Sequence, residues 1–207
     1  MGMNNSRNFD LLTLGQVLLR LSPPDNERLS RGDTFVKQVG GAELNVAVGA
    51  ALLGLHTGVI SKLPAHDIGS FMKGKIRSFG VSDDFFMYDQ SSSARVGIYY
   101  YENGAYPRKP KVIYDRNNSS FFSLNIDEIP EEVYTASKCF HTTGITLALN
   151  EDIRETTIDM IKRFKAAGTL VSFDVNFRGN LWTGDEAREC ILRILPYVDI
   201  FFCSEDT

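Results

Sequence analysis

Hydrophobic and polar positions along the chain change rhythm several times. Residues Phe9 to Leu21, "FDLLTLGQVLLRL", form an apolar run broken at Gly15, which predicts two strands joined by a turn. "VGGAELNVAVGAALLGL", from Val39 to Leu55, begins with a glycine pair and continues as small and apolar residues. This spacing predicts a buried helix, with Gly49 admitting a close neighbour inside it. "TGVISKL" predicts a strand. In "HDIGSFMKGKIRSFG", Ile68, Phe71, Met72, Ile76 and Phe79 fall at helical spacing and Gly80 supplies a stop. "VSDDFFMYD" predicts one short strand. From Ser93 to Phe121 the period becomes two, with Asn103-Gly104 between the halves, which predicts antiparallel strands with a hairpin-like connection.

Helix and strand then alternate again. Asp152 to Lys165 carries Ile153, Ile161 and Phe164 with acids at its start, and Gly168 follows as a cap. "TLVSFDVNF" and "DIFFCSEDT" are strands of the kind buried on both faces of a parallel sheet, and "GDEARECILRILPYV" is a helix ended by Pro196. Alternation of this kind predicts an α/β protein with a mostly parallel sheet and right-handed crossovers. The β-rich stretches Phe9 to Lys37 and Ser91 to Phe122 do not fit that rhythm. They predict a small separate sheet contributed by two segments.

Composition changes little in this picture. The 207 residues are 43% hydrophobic and 23% charged with a formal net charge of -4, so no global field favours nucleic acid or an anionic membrane. No run has the length of a signal-peptide core or a membrane span, and a cytoplasmic location is expected. Three scattered cysteines, Cys139, Cys190 and Cys203, predict reduced, buried thiols. His56, His66 and His141 have no ligand spacing, so no metal site is assigned.

Candidate chemistry collects where the strands end, the place where open α/β sheets bind ligands. Thr142, Thr143 and Gly144 follow "KCFH". Asp174, Asn176 and Arg178 alternate in "DVNFR", on one side if the strand continues. Ser204, Glu205 and Asp206 follow "DIFFC". Hydroxyls, an amide, a guanidinium and carboxylates at one edge suit a phosphorylated ligand with a metal ion nearby. Each has a plain alternative: Asp174 as a turn cap, Arg178 in a surface ion pair, Ser204 as a helix cap and Gly40-Gly41 as a tight turn.

The stretch "GGAELNVAVGAALLGLHTGVISKLPAHDIG" resembles the N-terminal signature of the PfkB (ribokinase-like) carbohydrate kinases through Gly40, Gly41, Asn45, Ala47, Leu53-Gly54 and Gly69. "DVNFRGNLW" resembles the Asp-x-Asn-x-Arg segment of the 2-keto-3-deoxygluconate kinase and fructokinase branch, and "RVGIYYYE", "KVIYDRNNSSF" and "SKLPAHDIG" resemble the 2-keto-3-deoxygluconate kinases. The resemblance implies a ribokinase-like three-layer sandwich with a small β-sheet lid, its strands near 15–37 and 91–122. It implies ATP-dependent phosphorylation of a sugar acid such as 2-keto-3-deoxygluconate, with fructokinase and a truncated sugar-binding fragment as alternatives. ATP and Mg2+ are the implied cofactors. Gly40, Gly41 and Asn45 would contact sugar hydroxyls, and Tyr99, Tyr114 and Arg116 would close over the substrate. Arg116 and Arg178 would bind a carboxylate or phosphates. Asp174, Asn176, Arg178, Ser204 and Glu205 would face the nucleotide.

Three departures from the pattern stand out. Glu43 occupies a place where many relatives have a small residue, and it is expected to accept from a substrate hydroxyl. The family's Asn-x-x-Glu element falls on "SEDT", which matches at neither end. The second signature, Asp-Thr-x-Gly-Ala-Gly-Asp, has no counterpart in the 207 residues. The catalytic base Asp is therefore expected downstream of Thr207, with this chain as an N-terminal portion that is inactive alone. Aromatics on two lid faces (Phe121, Phe122 and Tyr99 to Tyr101) predict a homo-oligomer formed through the lid.

Overall fold

In the computed structural model, which describes residues 7–205, the broken run at the start of the chain forms two strands in different sheets. β1 (Phe9–Leu14) enters the central sheet, and β2 (Leu18–Ser22) crosses into the smaller one, followed by β3 (Val36–Gly40). α1 (Ala42–Leu52), β4 (Thr57–Pro64), α2 (Asp67–Arg77), β5 (Val81–Ser82) and β6 (Phe86–Asp89) complete the first half. β7 (Gly97–Glu102) and β8 (Lys111–Asp115) return to the small sheet. Three short 3-10 turns lead to β9 (Ser137–Thr143), α3 (Gly144–Leu147), α4 (Glu151–Ala166), β10 (Leu170–Asp174), α5 (Gly184–Ile194) and β11 (Ile200–Phe202).

The central sheet runs β11-β10-β9-β1-β4-β5, with β6 also on β4, and every pairing is parallel. Its register divides the residues between two faces. Leu12, Leu14, Ile60, Phe140, Val171 and Phe173 pack with Ile153, Ile158, Phe164 and Ile194 from α4 and α5. The rings of Phe140 and Phe164 stack 4.1 Å apart at the centre of this core. On the other face, Val59 and Leu63 pack with Leu44 and Ala47 of α1 and Met72 and Ile76 of α2. Leu170, Ile200 and Phe202 on that second face are exposed, so that side is open beyond β9. Caps follow the sequence closely. Asn150 accepts from Ile153 N at 2.8 Å to start α4, and Thr183 and Glu186 form a reciprocal box at the start of α5.

The small sheet has the order β3-β2-β7-β8. β7 pairs antiparallel with β8, as expected, and β2 with β3, but β2 and β7 are parallel neighbours, a pairing the sequence did not predict. Their direction is set by the α1-to-β6 segment between them, which delivers both strands from the same end of the core. The β7–β8 connection spans residues 103–110 with a bridge between Ala105 and Arg108, longer than a two-residue hairpin.

Other expectations are corrected here. β1 belongs to the central sheet. "VSDDFFMYD" is two strands, β5 and β6. The lid ends at Asp115, not near residue 122. The left-handed Asn118 (φ 53°) turns the chain back, and Phe121 enters the main core on a 3-10 turn, 1% exposed. Phe121 is thus unavailable to any lid–lid contact. α1 is buried only through Glu43, Leu44 and Ala47, while Leu52 and Leu53 are 76% and 85% exposed. A side chain at Gly49 would meet nothing within 4 Å, so no close neighbour explains that glycine. Of the thiols, Cys190 is buried, Cys139 half-buried and Cys203 exposed.

Candidate functional site

The two sheets meet at the corner Gly15-Gln16, and the main hollow of the molecule opens beside it. Gly15 N donates to Ile60 O (3.3 Å), and the Gly15 carbonyl accepts from Ser61 Oγ (2.9 Å), so the corner is tied to β4. The cavity is about 610 Å³. Leu18, Arg20, Tyr99, Tyr101, Val112 and Tyr114 from the small sheet form its roof. Gly41, Glu43, Asn45 and Val46 of the α1 start, with Thr143, Ile145, Asp174, Asn176, Arg116 and Arg178, form its floor and sides. A second hollow of about 420 Å³ adjoins it, sharing Tyr114, Arg116, Ile145 and Arg178.

Gly41 sits where only glycine is comfortable. Its φ is 152°, and a Cβ there would lie 2.7 Å from the Gln16 carbonyl oxygen. The glycine pair therefore presses the first turn of α1 against the sheet corner and leaves Asn45 exposed on the cavity wall. Gly40 does not line the cavity, and a Cβ there would overlap the Tyr99 hydroxyl. Burial pushes the Tyr99 phenol up, so it stays a neutral donor.

Glu43 lines the cavity but is largely enclosed by protein. It is 2% exposed, and its Oε1 accepts from both Thr143 Oγ1 and Thr146 Oγ1 at 2.7 Å. Thr143 Oγ1 also accepts from Ile145 N (3.1 Å), so one chain of bonds ties α1 to the start of α3. Burial raises the Glu43 carboxyl above its ordinary range, against the threonine hydroxyls and the Arg116 charge, which favour ionisation. A raised carboxyl adds stability at low pH that is lost as pH rises through its folded value. Glu43→Gln is therefore expected to melt above wild type near about pH 8, with the gap closing as the pH falls to the ordinary carboxylate range. Melting curves across that range test this, and a gap that widens on acidification overturns it.

Arg116 is a half-buried cation of the site, as is Arg20. Its Nε donates to Gln16 Oε1 (2.8 Å) and its guanidinium carbon lies 5.7 Å from the Tyr114 ring centre. Its two terminal nitrogens have no hydrogen-bond partner among the described residues. Burial alone lowers its proton affinity, and nearby Glu43 opposes this. Arg178 is exposed and donates only to the neighbouring Phe177 carbonyl (2.9 Å). Asp174, Asn176 and Arg178 do converge, but not by strand alternation. β10 stops at Asp174, whose Oδ1 accepts from Asn176 N (3.0 Å), and Asn176 turns left-handed at φ 38°. Ser204 and Glu205 lie past the end of β11, outside the cavity wall, and Asp206 lies outside the described residues. Sequence reasoning missed Gln16, Leu18, Arg20, Tyr101 and Thr146. Arg20 is a third guanidinium under the roof, stacked 4.3 Å from the Tyr101 ring centre and bonded to Ser22 Oγ (2.9 Å). Among the described residues, no cluster of acidic, His or Cys side chains could hold a metal ion, and no helix is long and apolar enough to cross a membrane.

The model of the pfkB family of carbohydrate kinases matches residues 8–207. The chain belongs to that family. It is 37% identical over 196 residues to a 2-dehydro-3-deoxygalactonokinase of Haloferax volcanii, covering 95% of this chain and 61% of that protein. It is 30% identical over 197 residues to a probable fructokinase-3 of Arabidopsis thaliana, covering 94% of this chain and 56% of that one. The crystal structure of 2-dehydro-3-deoxygluconokinase from Thermotoga maritima superposes with a TM-score of 0.88 at 36% identity, over 93% of this chain and 59% of that one. The chain thus spans less than two thirds of the length of these relatives.

Proposed function

We propose that the chain supplies the sugar-binding wall and lid of an ATP-dependent kinase acting on a sugar acid, 2-keto-3-deoxygluconate or a close epimer, with Mg2+ as the accompanying ion. The observation that carries this reading is Arg116, whose terminal nitrogens lack partners while its Nε is held in place. A neutral sugar gives a half-buried guanidinium nothing to neutralise it, whereas a carboxylate matches its fork with two bonds. Likeness to relatives named for deoxy keto-acid kinases supports the same choice. Asn45 and the Gly41 backbone would meet the hydroxyls, and Tyr99 and Tyr114 would cover them. Arg178, with Asp174 and Asn176, would face the transferred phosphoryl group. ATP would supply the phosphoryl group, and a roof of antiparallel and parallel strands would exclude water that competes for it. No residue of this chain is assigned as the base.

Fructokinase activity is the second reading, supported by the plant relative. A coupled ADP-release assay on the full-length protein separates the two. Turnover with the deoxy keto acid is expected at a kcat/KM at least about tenfold above that with fructose, the ratio worth one buried charged bond. The reverse ratio would leave only the family.

A further inference from the structure

We infer that Gln16 is a positioning residue for Arg116, setting the direction in which its guanidinium meets an anionic sugar. This rests on the reading that the cavity takes a sugar acid. Gln16 is 3% exposed at the corner between β1 and β2. Its amide uses every donor it has. Nε2 donates to the Arg116 carbonyl (3.1 Å) and to Ser119 Oγ (2.7 Å), while Oε1 accepts from Arg116 Nε (2.8 Å). One side chain thus grips both the backbone and the side chain of one residue, 100 positions away.

The orientation of the amide follows from its partners. Arg116 Nε can only donate and the Arg116 carbonyl can only accept, so a rotated amide would set donor against donor at one and acceptor against acceptor at the other. An apolar residue of the same length satisfies neither. A carboxylate could take Nε but not donate to the carbonyl. Only a group with both functions holds Arg116 this way.

The consequence is geometric. Arginine has several rotatable bonds, and a free one would lose that freedom on binding an anion. With Nε fixed, the plane of the fork is fixed, and Nη1 and Nη2 are presented to the cavity already oriented. The grip also spans the two parts of the site. Gln16 sits on the corner whose carbonyl lies against Gly41, and Arg116 immediately follows the last lid strand. The anion-binding group is therefore registered to the wall bearing Gly41 and Asn45 even though it arrives from the lid.

The test uses Gln16→Met and Gln16→Glu in the full-length protein. NMR of the Arg116 Nε–H, assigned by its loss in Arg116→Lys, reads the grip without any substrate. Slow exchange is expected in wild type and in Gln16→Glu, and fast exchange in Gln16→Met. Fast exchange in wild type overturns the inference whatever the substrate proves to be. In kinetics, Gln16→Met is expected to raise KM for the sugar acid by about tenfold, with kcat and KM for ATP within about twofold. Gln16→Glu is expected to raise it as well, because its charge pairs with the guanidinium in place. In the Arg116→Ala background, Gln16→Met is expected to have no further effect, since it acts through the group already removed. An equal penalty in both backgrounds, or an equal rise for ATP, makes Gln16 merely structural and overturns the inference. Wild-type indifference to Arg116→Ala would instead sink the sugar-acid reading, leaving the exchange measurement to decide on Gln16.

Discussion

Replacing Arg116 with alanine is expected to raise KM for a sugar acid by about 100-fold, the loss of a charge-assisted pair of hydrogen bonds, and to change KM for a neutral ketose by less than about threefold. Three features make this the largest functional effect. The residue is half-buried, so its field is little screened. Its terminal nitrogens have no partner among the described residues, so the ligand need displace no protein group. Its Nε is held by Gln16 at 2.8 Å, so the charge is oriented before binding. Arg178 lines the same cavity but is exposed, so its charge is more strongly screened by solvent. Steady-state kinetics with both sugars check the result. Equal losses for acid and neutral substrates would mean that Arg116 supports the lid rather than reading a carboxylate.

The second large effect is expected at Gly41. Gly41→Ala forces a Cβ to within 2.7 Å of the Gln16 carbonyl oxygen at a φ of 152°. Both the contact and the dihedral are unfavourable, and the strain alone costs about 1–3 kcal/mol. The structure can relieve it only by moving α1 away from the corner. That shift drags Glu43 from Thr143 and Thr146 and displaces Asn45 from the cavity. A fall in melting temperature together with loss of sugar binding is therefore expected, measured by thermal melts and by titration of the sugar acid. Gly49→Ala serves as the control, since space there is open and alanine favours the helix. Unchanged binding in Gly41→Ala would show that the α1 start does not meet the ligand.

Local signals in the sequence held wherever they rested on local chemistry. The acids at the start of α4 and the left-handed Gly168 after it lie where spacing put them, while the Asn150 cap was passed over. Long-range signals were weaker. An apolar run identifies β2 and a period of two identifies β7 as strands, but neither contains anything about their being parallel neighbours. The same alternation carried the expected lid on to Phe121, past an Asn-Asn-Ser-Ser cluster whose turn signal, realised at the left-handed Asn118, was passed over. In the site, glycines and arginines stood out by residue type and most reached the cavity. Gln16 was hidden inside "LGQVLL", where its only signal was an amide in an apolar run. Glu43 stood out, but not the fact that two threonines from a segment 100 residues away would claim one of its oxygens.

The parallel pairing of Leu18 with Gly97 has a consequence for how the molecule assembles. These strands are separated by β3, α1, β4, α2, β5 and β6, so closing the loop between them carries an entropy cost that no neighbouring turn can offset. The lid therefore has no independent existence as a hairpin. It is expected to form after the core segment between its strands has folded, so that the roof of the cavity inherits its alignment from the floor.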